Sequence, residues 1–139
     1  MVTREDLESF LLRMEDLESE EIEEGMYLVR SRTGGAPMVV NHSSPLLLLR
    51  MKVMDLPEAR AGDAELFRTL LELNARDVVH GAYGLEDREL ILSDTLELET
   101  LDFHELQASI ESMELAAAGH MERIRSLAGV DAGASTVEG

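Results

Sequence analysis

The sequence predicts an α+β fold: a single antiparallel sheet of about five strands with helices packed on it, in the order α-β-β-β-α-β-β-α. Two observations predict it. Residues 26–54 contain three runs of strand composition separated by short Gly-, Asn- and Pro-containing turns, which is typical of an antiparallel meander. Apolar residues at helical spacing flank this region, and strands grouped between helices favour α+β over a doubly wound sheet.

The first predicted helix covers residues 3–20. Thr3 can cap it, and Asp6 lies three residues further on, close to a capping box. One apolar stripe follows helical spacing while the remaining positions are mostly acidic, so the stripe is expected to be buried. The stripe residues are Leu7, Phe10, Leu11, Met14 and Leu17.

The other elements follow from periodicity and turn residues. Asp94 falls on the apolar parity of the last strand, which indicates a bulge or strand end there. Asp102 can cap the last helix, whose stripe continues for about seven turns. The predicted strands are 26–29, 38–40, 46–54, 78–83 and 89–98, the turn before the last strand is 85–88, and the remaining helices are 64–77 and 103–127.

Length and composition predict one domain, residues 1–127, followed by a small and polar tail, residues 128–139, that is expected to be disordered. The chain has no cysteine, which excludes disulfides, a catalytic thiol and sulfur-ligated zinc. No signal peptide and no long apolar run is present, so we expect a soluble, cytoplasmic protein.

The formal net charge of −17 is unevenly distributed along the chain. Residues 1–25 carry ten acidic and two basic residues, whereas residues 26–62 carry five basic and two acidic ones. Such an acidic surface repels phosphate groups, so neither nucleic acid nor an anionic membrane is an expected partner. The basic middle can simply offset the acidic ends, or it can accept an acidic or amphipathic partner.

No motif in the sequence indicates catalysis or a cofactor. There is no nucleophile elbow, no phosphate-binding glycine loop, no calcium loop and no paired-histidine metal motif. The histidines are more simply explained as turn, surface or structural residues, and they are His42, His80, His104 and His120. We therefore expect no enzymatic activity, no cofactor and no metal site.

The third predicted strand, residues 46–54, is the most informative element. Leu47, Leu49, Met51 and Val53 share one parity without a charge, which predicts the face covered by helices. The other parity mixes leucine with cations, so part of it meets water and part needs cover. A second copy, the last helix or the tail can supply that cover, or a client polypeptide can bind there. The candidate partner-binding residues are Leu46, Leu48, Arg50, Lys52 and Met54.

Several local strings resemble those of the YbjN domain family, which is related in fold to type III secretion chaperones of the Tir-chaperone class. The resemblance rests on LLELNA at the end of a helix, HGAYGLEDRELIL after it, LELETLD before the last helix, and PMVVNHSSPLLLLRMKV upstream. It covers residues 3–125. The resemblance implies a chaperone-like α+β module that is usually dimeric and has no enzymatic activity.

Two functional hypotheses therefore stand. The first is a dimeric, chaperone-like module that holds a polypeptide partner on its sheet. The second is a regulatory or sensory domain with a small ligand in a closed apolar pocket.

Overall fold

The computed structural model describes residues 1–130 and confirms the α+β class. One open antiparallel sheet contains six strands, one more than expected, and three helices pack on it. The helices are α1 (Arg4–Arg13), α2 (Asp63–Arg76) and α3 (Phe103–Leu127), and the strands are β1 (Leu17–Glu23), β2 (Met26–Ser31), β3 (Met38–Ser43), β4 (Leu46–Asp55), β5 (Ala82–Glu86) and β6 (Glu89–Glu97).

The strand order across the sheet is β1-β2-β3-β4-β6-β5. β1 to β4 form the predicted meander with one further strand, and every neighbouring pair is antiparallel. α2 carries the chain from β4 across to β5, and the β5–β6 hairpin then returns so that β6 lies against β4. This places β4 in the interior of the sheet, while β1 and β5 form its two edges.

A single hydrophobic core lies between one face of the sheet and the three helices. The inward parity of β4 contributes Leu47, Leu49 and Met51, all essentially inaccessible to solvent. Each helix adds a buried stripe to the same cluster, including Leu7 of α1, Leu66 of α2 and Leu106 of α3. We call this side of the sheet the covered face and the opposite side the open face.

The first helix is shorter than the sequence predicts. α1 begins with the expected capping box between Thr3 and Asp6. It ends at Arg13, however, and residues 17–23 form β1. β1 pairs with β2 from Leu17 opposite Ser31 onward, so its backbone hydrogen bonds come from tertiary pairing. Met14 and Leu17 are buried as expected, although neither lies in the helix.

The β5–β6 hairpin also differs from the prediction. β5 begins at Ala82 rather than at residue 78, and the turn is confined to Asp87 and Arg88, where Asp87 has a φ of 53°. No bulge occurs at Asp94, which lies within β6 opposite Leu49. The irregularity of this strand pair is instead in β4, between Lys52 and Met54.

The last helix has the predicted bounds. Asp102 caps α3 by accepting a hydrogen bond from the backbone N–H of Glu105 at 2.7 Å. After the helix, Ala128 is buried and Val130 packs against the core. Most of the predicted tail, residues 131–139, lies outside the described residues.

Candidate partner-binding surface

Four of the five predicted partner-binding residues lie together on the open face of β4. Leu46 and Leu48 are half-buried, whereas Arg50 and Lys52 are exposed. Their neighbours Leu47 and Leu49 are fully buried on the covered face, so the predicted alternation along β4 is confirmed over this stretch. None of the four belongs to the core cluster beneath the helices.

Met54 does not continue this row, which corrects the sequence-based assignment. The register shifts by one residue between Lys52, which lies opposite Ile91, and Met54, which lies opposite Leu90. Leu90 belongs to the core, and Met54 packs against that core. A bulge places two residues opposite one and interrupts the alternation of faces. Val53 is buried in the core as predicted, and parity counted from Leu46 fails at Met54.

The sheet brings apolar residues of β2 and β3 beside the two leucines. Arg50 lies opposite Val39, and Val39 lies opposite Leu28 on the next strand. Leu48 lies opposite Asn41, and Asn41 opposite Met26. Directly opposed residues share a face of an antiparallel pair, so these side chains form one continuous surface. We call it the open-face patch; its members are Met26, Leu28, Val39, Leu46 and Leu48, all half-buried.

Sequence reasoning missed the β2 and β3 members of the open-face patch. The sequence does contain a signal for these residues. Met26 and Leu28 are two positions apart in a strand-like run, so they share a face of that strand, and Val39 is an apolar residue of the next run. Strand order and register were needed to place them beside Leu48.

Ion pairs border the patch toward β5. The guanidinium of Arg50 reaches across β6 to the carboxylate of Glu86, and Lys52 Nζ lies 2.8 Å from Asp55 Oδ1. The hydrogen bond to Glu86 raises the pKa of Arg50, and the same bond lowers the pKa of Glu86. The hydrogen bond to Asp55 likewise raises the pKa of Lys52. Arg50 and Lys52 therefore already have anionic partners. The part of this face that a partner could still cover is the half-buried apolar surface of the open-face patch.

The opposite border of the patch is acidic. Glu20 of β1 lies opposite Leu28, and Glu18 lies opposite Arg30. β1 is an edge strand whose residues after Leu17 are all exposed. Charged residues on an edge strand oppose uncontrolled pairing with other chains. The arrangement thus leaves an apolar centre between a charge-paired border and an acidic edge.

Two of the four histidines, His42 and His120, form hydrogen bonds that connect separate elements of the fold. His42 Nε2 lies 2.9 Å from the carbonyl oxygen of Val2, which attaches the N-terminal segment to β3. His120 connects Tyr83 and Asp77. Among residues 1–130, no group of three or more histidine and carboxylate side chains is arranged to hold a metal ion. Within the same range, no helix is both long and apolar enough to span a bilayer.

Solved structures with the same fold include two complexes between proteins. The heterodimeric ExoU–SpcU complex from the type III secretion system of Pseudomonas aeruginosa matches with a TM-score of 0.62 and 14% identity, over 86% of this chain and 94% of the matched one. The HopA1–SchA chaperone–effector complex matches with a TM-score of 0.62 and 14% identity, over 84% and 90%. YbjN from E. coli matches with a TM-score of 0.59 and 11% identity, over 85% and 90%.

A comparison with protein-family models shows family membership in addition to the fold. None of the curated proteins matches the chain significantly. The family model CesT_Tir_1, however, matches residues 2–129, which is nearly all of the described structure. The chain therefore belongs to the CesT_Tir_1 family of type III secretion chaperones.

Proposed function

We propose that this chain is a non-enzymatic, chaperone-like module that holds a polypeptide partner against the open face of its sheet. The observation that carries the proposal is the open-face patch, in which five apolar side chains of three adjacent strands lie on the face without helices. Leu46 and Leu48 are the predicted members, and Leu28 and Val39 extend the surface across the sheet.

The character of the patch favours apolar contact with the partner. Covering a fully exposed leucine is worth about 1.5–3 kcal/mol, so completing the burial of five half-buried side chains is a substantial driving force. Arg50 and Lys52 already have Glu86 and Asp55 as partners, so they contribute orientation more than new ion pairs. An amphipathic segment whose apolar side faces the sheet fits this surface.

The structural relatives support a polypeptide as the partner. HopA1–SchA is a chaperone–effector complex, and ExoU–SpcU is a heterodimer of the type III secretion system. The family membership supports the same class of ligand for this chain. By analogy, the partner would be an effector-like protein, and the acidic helices would keep the complex in solution.

We propose further that the chain acts as a homodimer through the outer face of α2. Leu71 is 68% exposed there and, with Phe67, lines a shallow groove on that helix. Acidic and basic residues alternate along the groove in the order Glu65, Arg68, Glu72 and Arg76. In an antiparallel pair of α2 helices related by a two-fold axis, each glutamate meets an arginine of the other copy.

Sedimentation velocity of the wild-type chain and of a Leu71→Glu variant tests the dimer. We expect the wild type to sediment as a dimer and the variant as a folded monomer with an unchanged circular dichroism spectrum. A Leu12→Glu variant is the matched control, because Leu12 is a similarly exposed leucine on α1. A wild-type monomer at high micromolar concentration would overturn the dimer proposal.

The binding proposal is tested by capturing tagged protein from the lysate of its own cells and identifying bound proteins by mass spectrometry. Leu48→Asp alters the open-face patch, and Leu12→Asp is the matched control, since Leu12 is 78% exposed on the layer of helices. We expect one stoichiometric partner that the wild type and Leu12→Asp retain and Leu48→Asp loses. A partner retained equally by all three folded proteins would place its site elsewhere.

A further inference from the structure

A cleft lies on the covered side of the sheet, away from the open-face patch. The cleft, of about 770 Å³, opens between α3, the connection from α1 to β1, and the loop that joins β2 to β3. This volume is within the range of binding pockets. Its floor is apolar and contains buried parts of Met14, Leu17 and Met51, while Met121 of α3 lies beside them. Methionine side chains adapt to ligands of varied shape.

The charged residues that line the cleft are all acidic. Glu15 and Asp16 line it from the α1–β1 connection, and Glu111 and Glu114 line it from α3; no lysine, arginine or histidine is among the lining residues. Arg32 is close in the fold, but its guanidinium donates to the backbone oxygen of Glu15 and pairs with Glu18.

Within the described part of the chain, the carboxylates of Glu111 and Glu114 on α3 have no cationic partner. Some carboxylates elsewhere in the fold have cationic partners, such as Glu86 with Arg50 and Asp63 with Arg88. Within residues 1–130, no ion pair or side-chain hydrogen bond reaches Glu111 or Glu114. Burial, together with the nearby charge of Glu111, raises the pKa of Glu114. A cation placed in the cleft would stabilise the ionised carboxylates and so oppose this rise in the pKa of Glu114.

We infer that this cleft binds a cationic amphipathic segment of a polypeptide, inserting apolar side chains onto the methionine-rich floor and presenting lysine or arginine to Glu111 and Glu114. The inference rests on the proposed function only in that the ligand is a polypeptide, since the site is separate from the open-face patch. The tail of this chain does not fit, because residues 131–139 carry Asp131 and Glu138 and no base.

A synthetic peptide tests the inference without any native partner. The probe is a fluorescein-labelled amphipathic helix made only of leucine and lysine, and the control peptide replaces every lysine by glutamate. Fluorescence anisotropy of the full chain should show binding of the lysine peptide, weakened by added salt, and no binding of the glutamate peptide. Equal binding of both peptides would overturn the inference.

Two variants locate the binding. Glu111→Gln with Glu114→Gln should weaken the lysine peptide about tenfold, because it removes both charge-assisted contacts. Glu5→Gln with Glu99→Gln removes the same charge from exposed positions outside the cleft and outside the α2 groove, and should change the affinity less than about twofold, which controls for general attraction to an acidic protein. Equal losses in the two double variants would show charge attraction alone and overturn the inference.

A third variant tests whether the peptide occupies the cleft itself. Ala118 is exposed at the mouth of the cleft, so Ala118→Trp should obstruct it while the protein stays folded. We expect weaker peptide binding, whereas unchanged affinity would overturn the inference. Leu48→Asp should bind the peptide as the wild type does, so failure of the open-face proposal and failure of the cleft proposal remain distinguishable.

Discussion

The hydroxyl of Tyr83 lies 2.8 Å from Nδ1 of His120, and this contact joins the edge strand β5 to the middle of α3. His120 Nε2 lies 3.1 Å from Oδ2 of Asp77, just beyond the end of α2. A carboxylate only accepts, so Nε2 donates to Asp77, and in the neutral imidazole Nδ1 then accepts from the tyrosine hydroxyl. The side-chain amide of Asn74 accepts a hydrogen bond from the backbone N–H of Tyr83 and donates one to the backbone carbonyl oxygen of Tyr83. These contacts attach an edge strand to two helices.

Replacing His120 tests this network. His120→Ala removes two hydrogen bonds and leaves the partly buried hydroxyl of Tyr83 without its acceptor, so we expect a loss of about 1–3 kcal/mol in the free energy of unfolding. Tyr83→Phe should cost less, and the double variant should cost less than the sum of the two. Urea denaturation of the four proteins measures this coupling. Strict additivity would show that the two side chains act independently.

The stability of the protein at alkaline pH should depend on the same tyrosine. Burial raises the pKa of Tyr83 from 10.0 to about 12. A raised pKa means that the folded state retains the proton, so this contribution is complete below pH 10 and is lost as pH rises toward 12. The urea midpoint of the wild type should therefore fall between pH 9.5 and 11.5. Tyr83→Phe should show a smaller fall over the same interval, and an identical fall would contradict the assignment to Tyr83.

Adjacent leucines of β4 should differ sharply in their contribution to stability. Leu47 is completely buried on the covered face, so Leu47→Ala should cost about 2–5 kcal/mol in unfolding free energy. Leu46→Ala removes the same atoms from the open face and should cost clearly less, because its side chain is only half-buried. Chemical denaturation compares them. Equal costs would mean that the open face is covered in solution, as a partner or second copy would do.

Two glycines should respond oppositely to alanine. Gly81 precedes β5 with a φ of +87°, and a Cβ there would lie 2.7 Å from the carbonyl oxygen of Ser93. Gly81→Ala should therefore destabilise the protein by at least about 1 kcal/mol. Gly119 lies inside α3 with open space around it, so Gly119→Ala should stabilise by about 0.5–1 kcal/mol. Thermal unfolding of both variants gives the signs, and a stabilising Gly81→Ala would contradict the described contact.

The sequence predicted structure best where one periodicity applied without interruption. The stripe of α3 gave its bounds, because a helix completes its own backbone hydrogen bonds and needs only one buried face. The alternation along β4 predicted which residues enter the core from Leu46 to Lys52. These are local relations between neighbouring side chains, so the order of residues is sufficient to read them.

Prediction failed where the partner of a segment is distant in sequence. β1 has the composition LESEEIE and is exposed on both faces after Leu17, so its only strand signal is the backbone pairing with β2. Met14 and Leu17 keep helical spacing although the helix ends at Arg13, because a turn and a strand start can also bury two residues three apart. The bulge before Met54 depends on the register with β6, which parity within β4 cannot show.

The sequence by itself thus determined the fold class, the family resemblance and the surface-facing residues of β4 from Leu46 to Lys52. Only the tertiary structure decided what surrounds them. Strand order brings Leu28 and Val39 beside Leu48, and the packing of α3 on the sheet places Glu114 and Met51 in the lining of one cleft. Periodicity reports which side of an element is buried, whereas a binding surface is formed by several elements whose register and packing are set by the whole core.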